Sequence, residues 1–332
     1  MNAPLVTVVV PIFNVSEYVE ECLISVLNQT YRNLEILCVD DCGTDNSIEI
    51  VQKYQTDSRL KIIKNQRNLG LGASRNEGVN QALGEYVFFL DSDDFIKNDT
   101  IKTLVELALQ SDADIAFSGA TAFLHQNNPS NTYSTPEEKK LSTYIENLNQ
   151  SLNIKPIEIT VSSEKFLYAL KQIPCVAWGK LYKTSFLRRN RIEFVKDKVL
   201  HEDNGYHIKC MSCAPKVATV SECKYQYRIR PKSIMWNAAN DERKRLEHLK
   251  LSLNDALNFL CIQKKSIEYS NIVKDVYWNM YALKNSFLTY YMGQFEKRIR
   301  LLGINLLKQS SKDGRIVKTS IFGIGLHNFS LW

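Results

Sequence analysis

Four short apolar runs, each closed by turn-forming or polar residues, divide the first hundred residues into alternating strand and helix patterns. Leu5-Val-Thr-Val-Val-Val10 is β-branched and apolar, and Pro11 stops it. From about Ser16 the period lengthens to that of a helix, with Tyr18, Cys22, Val26 and Gln29 on one side and Leu23 and Leu27 filling the stripe. Leu34 to Val39 reads as a second strand, Leu60-Lys-Ile-Ile63 as a third and Tyr86 to Leu90 as a fourth, with a helix predicted over about 73–82. In the turn after the second strand, Asp40-Asp41-Cys42-Gly43-Thr44-Asp45, either Thr44 or Asp45 suits the cap of another helix. Strands separated by helices imply an α/β fold whose mainly parallel sheet is covered on both faces, with the loops at the carboxyl ends gathered along one edge.

Ligands of open α/β sheets bind at that edge, and both acidic clusters of the region fall on it. Asp40 and Asp41 follow the second strand, while Asp91, Asp93 and Asp94 follow the fourth, three carboxylates within four residues. So much like charge beside a core calls for a cation or a donor-rich ligand. A divalent metal carrying a phosphorylated substrate meets both demands. Taken singly, Asp40 and Asp41 are ordinary turn formers and Asp94 an ordinary helix cap.

Composition narrows the class. At 332 residues, 44% hydrophobic and 23% charged, the chain suits a large α/β catalytic unit with an appendage and is not a disordered protein. Its eight cysteines include one C-x-x-C, Cys210-Met-Ser-Cys213, with no second pair to complete a zinc site, so reduced, mostly buried thiols are expected. Neither a signal-peptide pattern nor a membrane-length apolar run is present, and a cytoplasmic or peripheral protein is expected. The net charge of +6 is concentrated at the end, where residues 241–332 hold 15 Lys or Arg against 8 Asp or Glu. No nucleic-acid partner is inferred from it.

Four segments carry a resemblance to a known family: Val8-Val-Val-Pro11-Ile-Phe13-Asn14, Val39 to Asp45, Asn68-Leu-Gly70-Leu-Gly-Ala-Ser-Arg75-Asn76-Glu-Gly78, and Gly84 to Asp94. In order and spacing the chain resembles glycosyltransferase family 2, the inverting nucleotide-sugar enzymes with a Rossmann-like catalytic domain of the glycosyltransferase A type. The similarity covers most of residues 5–100 and continues more weakly to about 235. Cys42-Gly43 departs from the Gly-Ser of many members without removing a carboxylate. The resemblance implies a nucleotide-sugar-binding half over 1–120, an acceptor-binding half over 121–238 and a basic helical extension over 239–332.

It also implies roles. A uracil N3 proton suits Asp41 or the adjacent Asp40, with Pro11, Phe13 and Asn14 as the other wall of the base pocket. Asp91 and Ser92 would contact the ribose or a metal-bound water, and Asp93, with Asp91, would hold Mn²⁺ or Mg²⁺ on the diphosphate. Arg75 reads equally as a phosphate contact or as a salt bridge to the acidic edge. Its presence where a third glycine belongs rejects a dinucleotide fingerprint for Gly70-Leu-Gly72. In Leu200-His201-Glu202-Asp203, Asp203 is the candidate base for the acceptor hydroxyl and Glu202 the runner-up, against an ordinary helix-capping role. Trp178 reads as a sugar-stacking face or as core, and Lys180 as a cation open to an anion. Arg228 and Arg230 read as a diphosphate-closing loop or as a solvated strand end.

The expected reaction is transfer of a hexose or N-acetylhexosamine, with a lean to UDP-galactose, onto a growing surface glycan or lipid-linked acceptor as a β-glycoside. A nucleotidyltransferase would need a basic Gly-rich loop after the first strand, and a haloacid-dehalogenase-type phosphatase a Thr where Phe95 stands. A non-catalytic sugar-nucleotide sensor or glycan-binding scaffold would lack Glu202-Asp203. Acceptor choice is expected in the polar stretch 125–160. Three helices are expected after Asp241: Leu246 to Leu260, an aromatic stretch Val276 to Tyr291, and Phe295-Ile299-Leu302-Leu306 bearing Lys297, Arg298, Arg300 and Lys308. The last reads as a binder of an anionic membrane surface or as packing on the catalytic domain. The closing segment from Ile321 reads as an interfacial anchor, a docked strand or a homo-oligomer contact.

Overall fold

The β-branched and aromatic runs at 6–12, 34–40 and 86–89 pair as parallel strands because each is buried along its whole length and needs cover on both faces. In the computed structural model, which describes residues 3–124, 145–230, 242–263, 269, 271–273 and parts of 299–325, β1 (Val6–Ile12) lies between β2 (Leu34–Asp40) and β4 (Tyr86–Phe89), and β3 (Leu60–Lys64) extends β2. Val6 stands opposite both Leu34 and Tyr86. All residues of β1, β2 and β4 are buried. The links are α1 (Val19–Leu27), α2 (Ser47–Gln52) and α3 (Leu71–Gln81). From β1 the chain builds outward through β2 and β3, then returns to place β4 on β1's other side. A crevice therefore opens at the carboxyl ends of β1 and β4.

Two local features tighten this half. At Gly78 a Cβ would lie 2.3 Å from Val9 Cγ1, so glycine lets α3 settle on β1. Asp45 accepts the backbone N–H of Ser47 at 3.1 Å and that of Ser16 at 2.8 Å, tying the start of α2 to the loop after β1.

Beyond β4 the expectation of a mainly parallel sheet needs correction. β8 (Lys180–Lys183) is antiparallel to both β4 and β6 (Ile115–Leu124), and β6 is parallel to the long β9 (Lys216–Ile229). The outer edge of β9 carries β7 (Ile157–Thr160) near its start and β5 (Phe95–Ile96) near its end, both antiparallel. The sheet is parallel in one half and mixed in the other, because β8 enters between two earlier strands from the opposite end. Helices α4 (Thr100–Ser111), α5 (Ser163–Gln172), α6 (Thr184–Asn190) and α7 (Glu202–Cys213) complete this region.

Helix α8 (Glu242–Ile262), expected to open the extension, belongs to a compact unit spanning Met1–Val273. It approaches α7 closely, with Gly205 N–H donating to Ser252 Oγ at 2.9 Å. No two cysteines are joined among the described residues.

The second unit, Lys274–Trp332, differs from the helical expectation. Its described residues form three antiparallel pairs: β10 (Ile299–Leu301) with β11 (Ile304–Leu307), β12 (Ser310–Lys312) with β13 (Arg315–Lys318), and β14 (Ser320–Ile321) with β15 (Ile324–Gly325). The stripe Phe295-Ile299-Leu302-Leu306 is thus not a helix face at 299–301 and 304–307. Each pair is separated by two residues ending in glycine (Gly303, Gly314, Gly323), a hairpin spacing that outweighs the helical period. The aromatic stretch 276–291, most of the polar insertion (125–144) and residues 326–332 lie outside the described residues. Among the described residues no helix is long and apolar enough to cross a membrane.

Candidate active site

The turn after β4 is anchored by a buried tyrosine. Tyr225, on β9, donates its hydroxyl to Asp94 Oδ2 at 2.7 Å and accepts the Asp91 N–H at 3.2 Å. Arg228 N–H donates to Asp94 Oδ1 at 2.7 Å. Asp94 therefore ties the turn to β9, and its burial, followed by repulsion from Asp93 and Asp91, raises its pKa well above the usual carboxylate range.

Arg75 is the centre of the site. Projecting from the buried face of α3, it donates Nη2 to Asp91 Oδ1 at 2.6 Å and Nη1 to Glu202 Oε1 at 3.0 Å and Asp203 Oδ1 at 2.8 Å. Its side chain is 1% exposed, whereas those of Asp91 and Asp203 are each 18% exposed and reach the crevice. One guanidinium thus joins the end of β4 to the first turn of α7. Of the two readings of Arg75, the salt bridge is the one present.

Glu202 is the deeper of the α7 carboxyls. Burial raises its pKa to about 8, with repulsion from Asp203 adding and Arg75 opposing. Asp203 Oδ2 accepts the Ala177 N–H at 3.1 Å, so each of its oxygens has one fixed donor. Gly72 admits this arrangement, since a Cβ there would sit 3.0 Å from Phe194 Cβ and 3.3 Å from Glu202 Cγ. Phe194 stacks on Tyr206 at 3.8 Å and lies under the Arg75 guanidinium, giving the ion cluster an apolar floor.

Asp93 faces the other side of the turn. Its Oδ2 accepts Arg230 Nε at 2.8 Å and its carbonyl accepts Arg228 Nε at 2.8 Å. Arg228 also pairs with Glu21 and lies over Tyr18, Phe95 and Phe123. Burial raises the pKa of both Asp91 and Asp93, against the guanidinium beside each. Each leaves one carboxylate oxygen outside its ion pair. Two such oxygens on one turn suit a divalent cation, the rest of whose shell phosphate oxygens or water would supply. Among the described residues no group of three or more His, Cys, Asp or Glu side chains forms a protein-only metal cage.

After β2, Asp41 is engaged in holding a loop. It accepts Asn65 Nδ2 at 2.8 Å and the N–H groups of Leu69 and Gly70 at 2.7 and 2.9 Å. Asp40 Oδ1 takes the Cys42 N–H at 2.9 Å, while Oδ2 has no hydrogen bond among the described residues. Between the two, Asp40 is the one with a carboxylate oxygen outside the hydrogen bonds of the described residues. Asn14, with φ of 53°, accepts the Thr44 N–H, and the half-exposed Phe13 has Lys198 over its ring. Pro11 and Ser92 are buried.

Two acceptor-side expectations need correction. Trp178 is 5% exposed and stacks on Tyr225 at 4.3 Å and Tyr227 at 5.3 Å, so its faces are already occupied. Lys180 is buried, and its ammonium donates to the carbonyls of Pro174 and Val176, both at 2.6 Å. It is not an open cation for a ligand. Apolar surroundings and inward-facing carbonyls decided both positions.

Residues 7–162 match the family profile described as glycosyl transferase family 2. The chain carries a family 2 glycosyltransferase domain. It is 36% identical over 234 residues to Glycosyltransferase GlyA of Streptococcus pneumoniae serotype 4, covering 69% of this chain and 31% of that protein. To the uncharacterized glycosyltransferase EpsJ of Bacillus subtilis it is 32% identical over 232 residues, 70% of this chain and 63% of EpsJ. The chain thus spans less than two thirds of the length of these relatives. The crystal structure of Staphylococcus aureus TarS 1–349 in complex with UDP-GlcNAc superposes with a TM-score of 0.59 at 25% identity, over 76% of this chain and 67% of that one.

Within the family 2 domain and its continuation, several structural partners were not singled out from sequence. Tyr225 bridges two aspartates, Asn65 fixes Asp41 and Glu21 pairs with Arg228. The alternation Tyr225-x-Tyr227 was a usable signal, since period two sends both rings to one face of a strand. Asn65 and Glu21 gave none, because their partners lie 24 and 207 residues away.

Proposed function

We propose that this protein is an inverting glycosyltransferase that moves a sugar from a UDP-sugar to a hydroxyl of a growing surface glycan, forming a β-glycosidic bond. The observation that carries the reading is the Arg75 junction, which sets the base candidate Asp203 beside Asp91 of the donor turn. The family 2 domain and the TarS complex support the UDP-sugar class. TarS is a poly(ribitol-phosphate) beta-N-acetylglucosaminyltransferase, which brings UDP-N-acetylglucosamine beside UDP-galactose as a first donor to try.

In this reading Asp40, Phe13 and Asn14 take the nucleoside and Arg230 faces the diphosphate, while Arg228, buried against Glu21, the Asp93 carbonyl and three aromatic rings, braces the turn and does not close over the ligand. Asp91 and Asp93 would hold Mn²⁺ or Mg²⁺, which would supply positive charge to the departing diphosphate. Asp203 removes the acceptor proton as that oxygen bonds to the anomeric carbon, and the bond from that carbon to the diphosphate oxygen breaks with its electron pair leaving on UDP. Arg75 and the Ala177 N–H keep Asp203 aimed without protonating it.

The test is UDP release with Mn²⁺ and each common UDP-sugar, with and without glycan acceptors. Asp203→Asn should lower transfer by about a hundredfold to ten-thousandfold while UDP still raises the melting temperature, and Asp93→Ala should remove the metal dependence of that rise. No turnover and no thermal shift with any UDP-sugar would defeat the proposal.

A further inference from the structure

We infer that Lys180 is a positioning residue for Asp203, acting through the peptide unit between Val176 and Ala177; the inference rests on Asp203 being the base. A trans peptide holds its C=O and N–H antiparallel in one plane. No peptide among the described residues is cis. Lys180 Nζ donates to the Val176 carbonyl at 2.6 Å, and the N–H at the opposite end of that unit donates to Asp203 Oδ2 at 3.1 Å. Fixing one end therefore fixes the other. The second ammonium bond, to Pro174 at 2.6 Å, stops the segment from rotating as a whole, and Tyr182 holds the Ala177 carbonyl at 3.1 Å.

Asp203 Oδ1 is already held by Arg75, so the Ala177 N–H is what defines the rotation of the carboxylate about its own axis. The cost of the arrangement marks it as more than filler. Lys180 is 1% exposed, and burial lowers its pKa to about 8, with Cys175, Cys210 and Asp203 opposing the shift; the buried His207 also feels its charge. A neutral side chain would avoid that cost but leave the Val176 carbonyl without a donor, whereas the Pro174 carbonyl would keep the Val176 N–H at 2.9 Å. The cation also polarises the peptide and strengthens its N–H as a donor. Without it the Val176 carbonyl loses its donor, the 176–177 unit is held less firmly, and Asp203 loses its aim.

The experiment compares Lys180→Met with wild type in the full chain, using the UDP-sugar and acceptor that the screen identifies. The expected kcat is lower by roughly tenfold to a hundredfold, with unchanged donor KM. The thermal shift given by UDP and Mn²⁺ should be retained, and amide exchange over 174–178 should rise. In an Asp203→Asn background, Lys180→Met should cost no further kcat. An unchanged kcat, an equal loss in both backgrounds, or loss of UDP binding would each overturn the inference. If Lys180→Met does not fold, Tyr182→Phe replaces it, with an expected kcat loss of about threefold and no change in KM. Failure of the base reading looks different: Asp203→Asn would remain active or wild type would show no transfer. Amide exchange at 177 that ignores Lys180→Met would then still refute the link.

Discussion

Removing the Arg75 guanidinium should destabilise the protein in a pH-dependent way. Arg75→Met takes away the shared partner of Asp91, Glu202 and Asp203, which it holds at 2.6, 3.0 and 2.8 Å. Breaking a buried ion pair by deleting one partner costs about 3–5 kcal/mol, and three stranded carboxylates place this change at the upper end. The cost depends on whether those carboxyls can take up protons. With Arg75 present, burial already raises the pKa of Asp91 and Glu202. Without it both rise further, so the folded variant binds more protons than its unfolded chain and loses stability as pH increases. One extra bound proton changes stability by about 1.4 kcal/mol per pH unit, or about 3 kcal/mol between about pH 5.5 and about pH 7.5. Urea unfolding followed by circular dichroism at those two pH values measures it directly. The variant should lie much closer to wild type at the lower pH, and Arg75→Lys, which keeps the charge without the planar fork, should fall between. A loss that is equal at both pH values, or below about 1 kcal/mol at the higher one, would refute the shared-cation reasoning.

Glu202 alone should make the fold less stable as pH rises from its unfolded value through about 8, because its folded pKa is the higher one. Glu202→Gln should flatten that decline, which urea midpoints across the range will show. Tyr225→Phe removes the hydroxyl between Asp94 and the Asp91 N–H and should cost about 1–3 kcal/mol in the same assay, with weaker Mn²⁺-dependent UDP binding by calorimetry. Gly78→Ala drives a methyl group against Val9 and should cost about 1–3 kcal/mol, while adding Val9→Ala should make the pair less damaging than the sum of the single changes.

The first four strands were legible because parallel strands covered on both faces must be mainly apolar, and Val6–Ile12 and Leu34–Val39 are, apart from the mutually hydrogen-bonded Thr7 and Glu35. The acidic turns were legible for the opposite reason, being charge where core was due. What escaped was direction and partnership. Nothing local to Lys180-Leu-Tyr-Lys183 says that it runs against β4, and nothing in Arg75 says that it meets carboxylates 127 and 128 positions away. Trp178 and Lys180 misled for a related reason: amphipathic side chains fit a wet site and a dry one equally well, and the surroundings decide. Beyond Ile299 the helical spacing of leucines competed with glycines placed to turn the chain, and the paired strands follow the glycines.

The insertion of β8 between β4 and β6 bears on how such a chain can change over generations. A strand from the later part of the sequence forms the seam of the sheet, and the later Glu202 and Asp203 close on the earlier Arg75. A recombination crossover near residue 120 would therefore split hydrogen-bond ladders and an ion cluster together, and chimaeras exchanging the later part alone should be inherited poorly. New preferences are more readily acquired by substitution in the loops at the crevice than by swapping cassettes. Descendants of this architecture would then keep Arg75, Glu202 and Asp203 as one linked set, even where the loops around them differ.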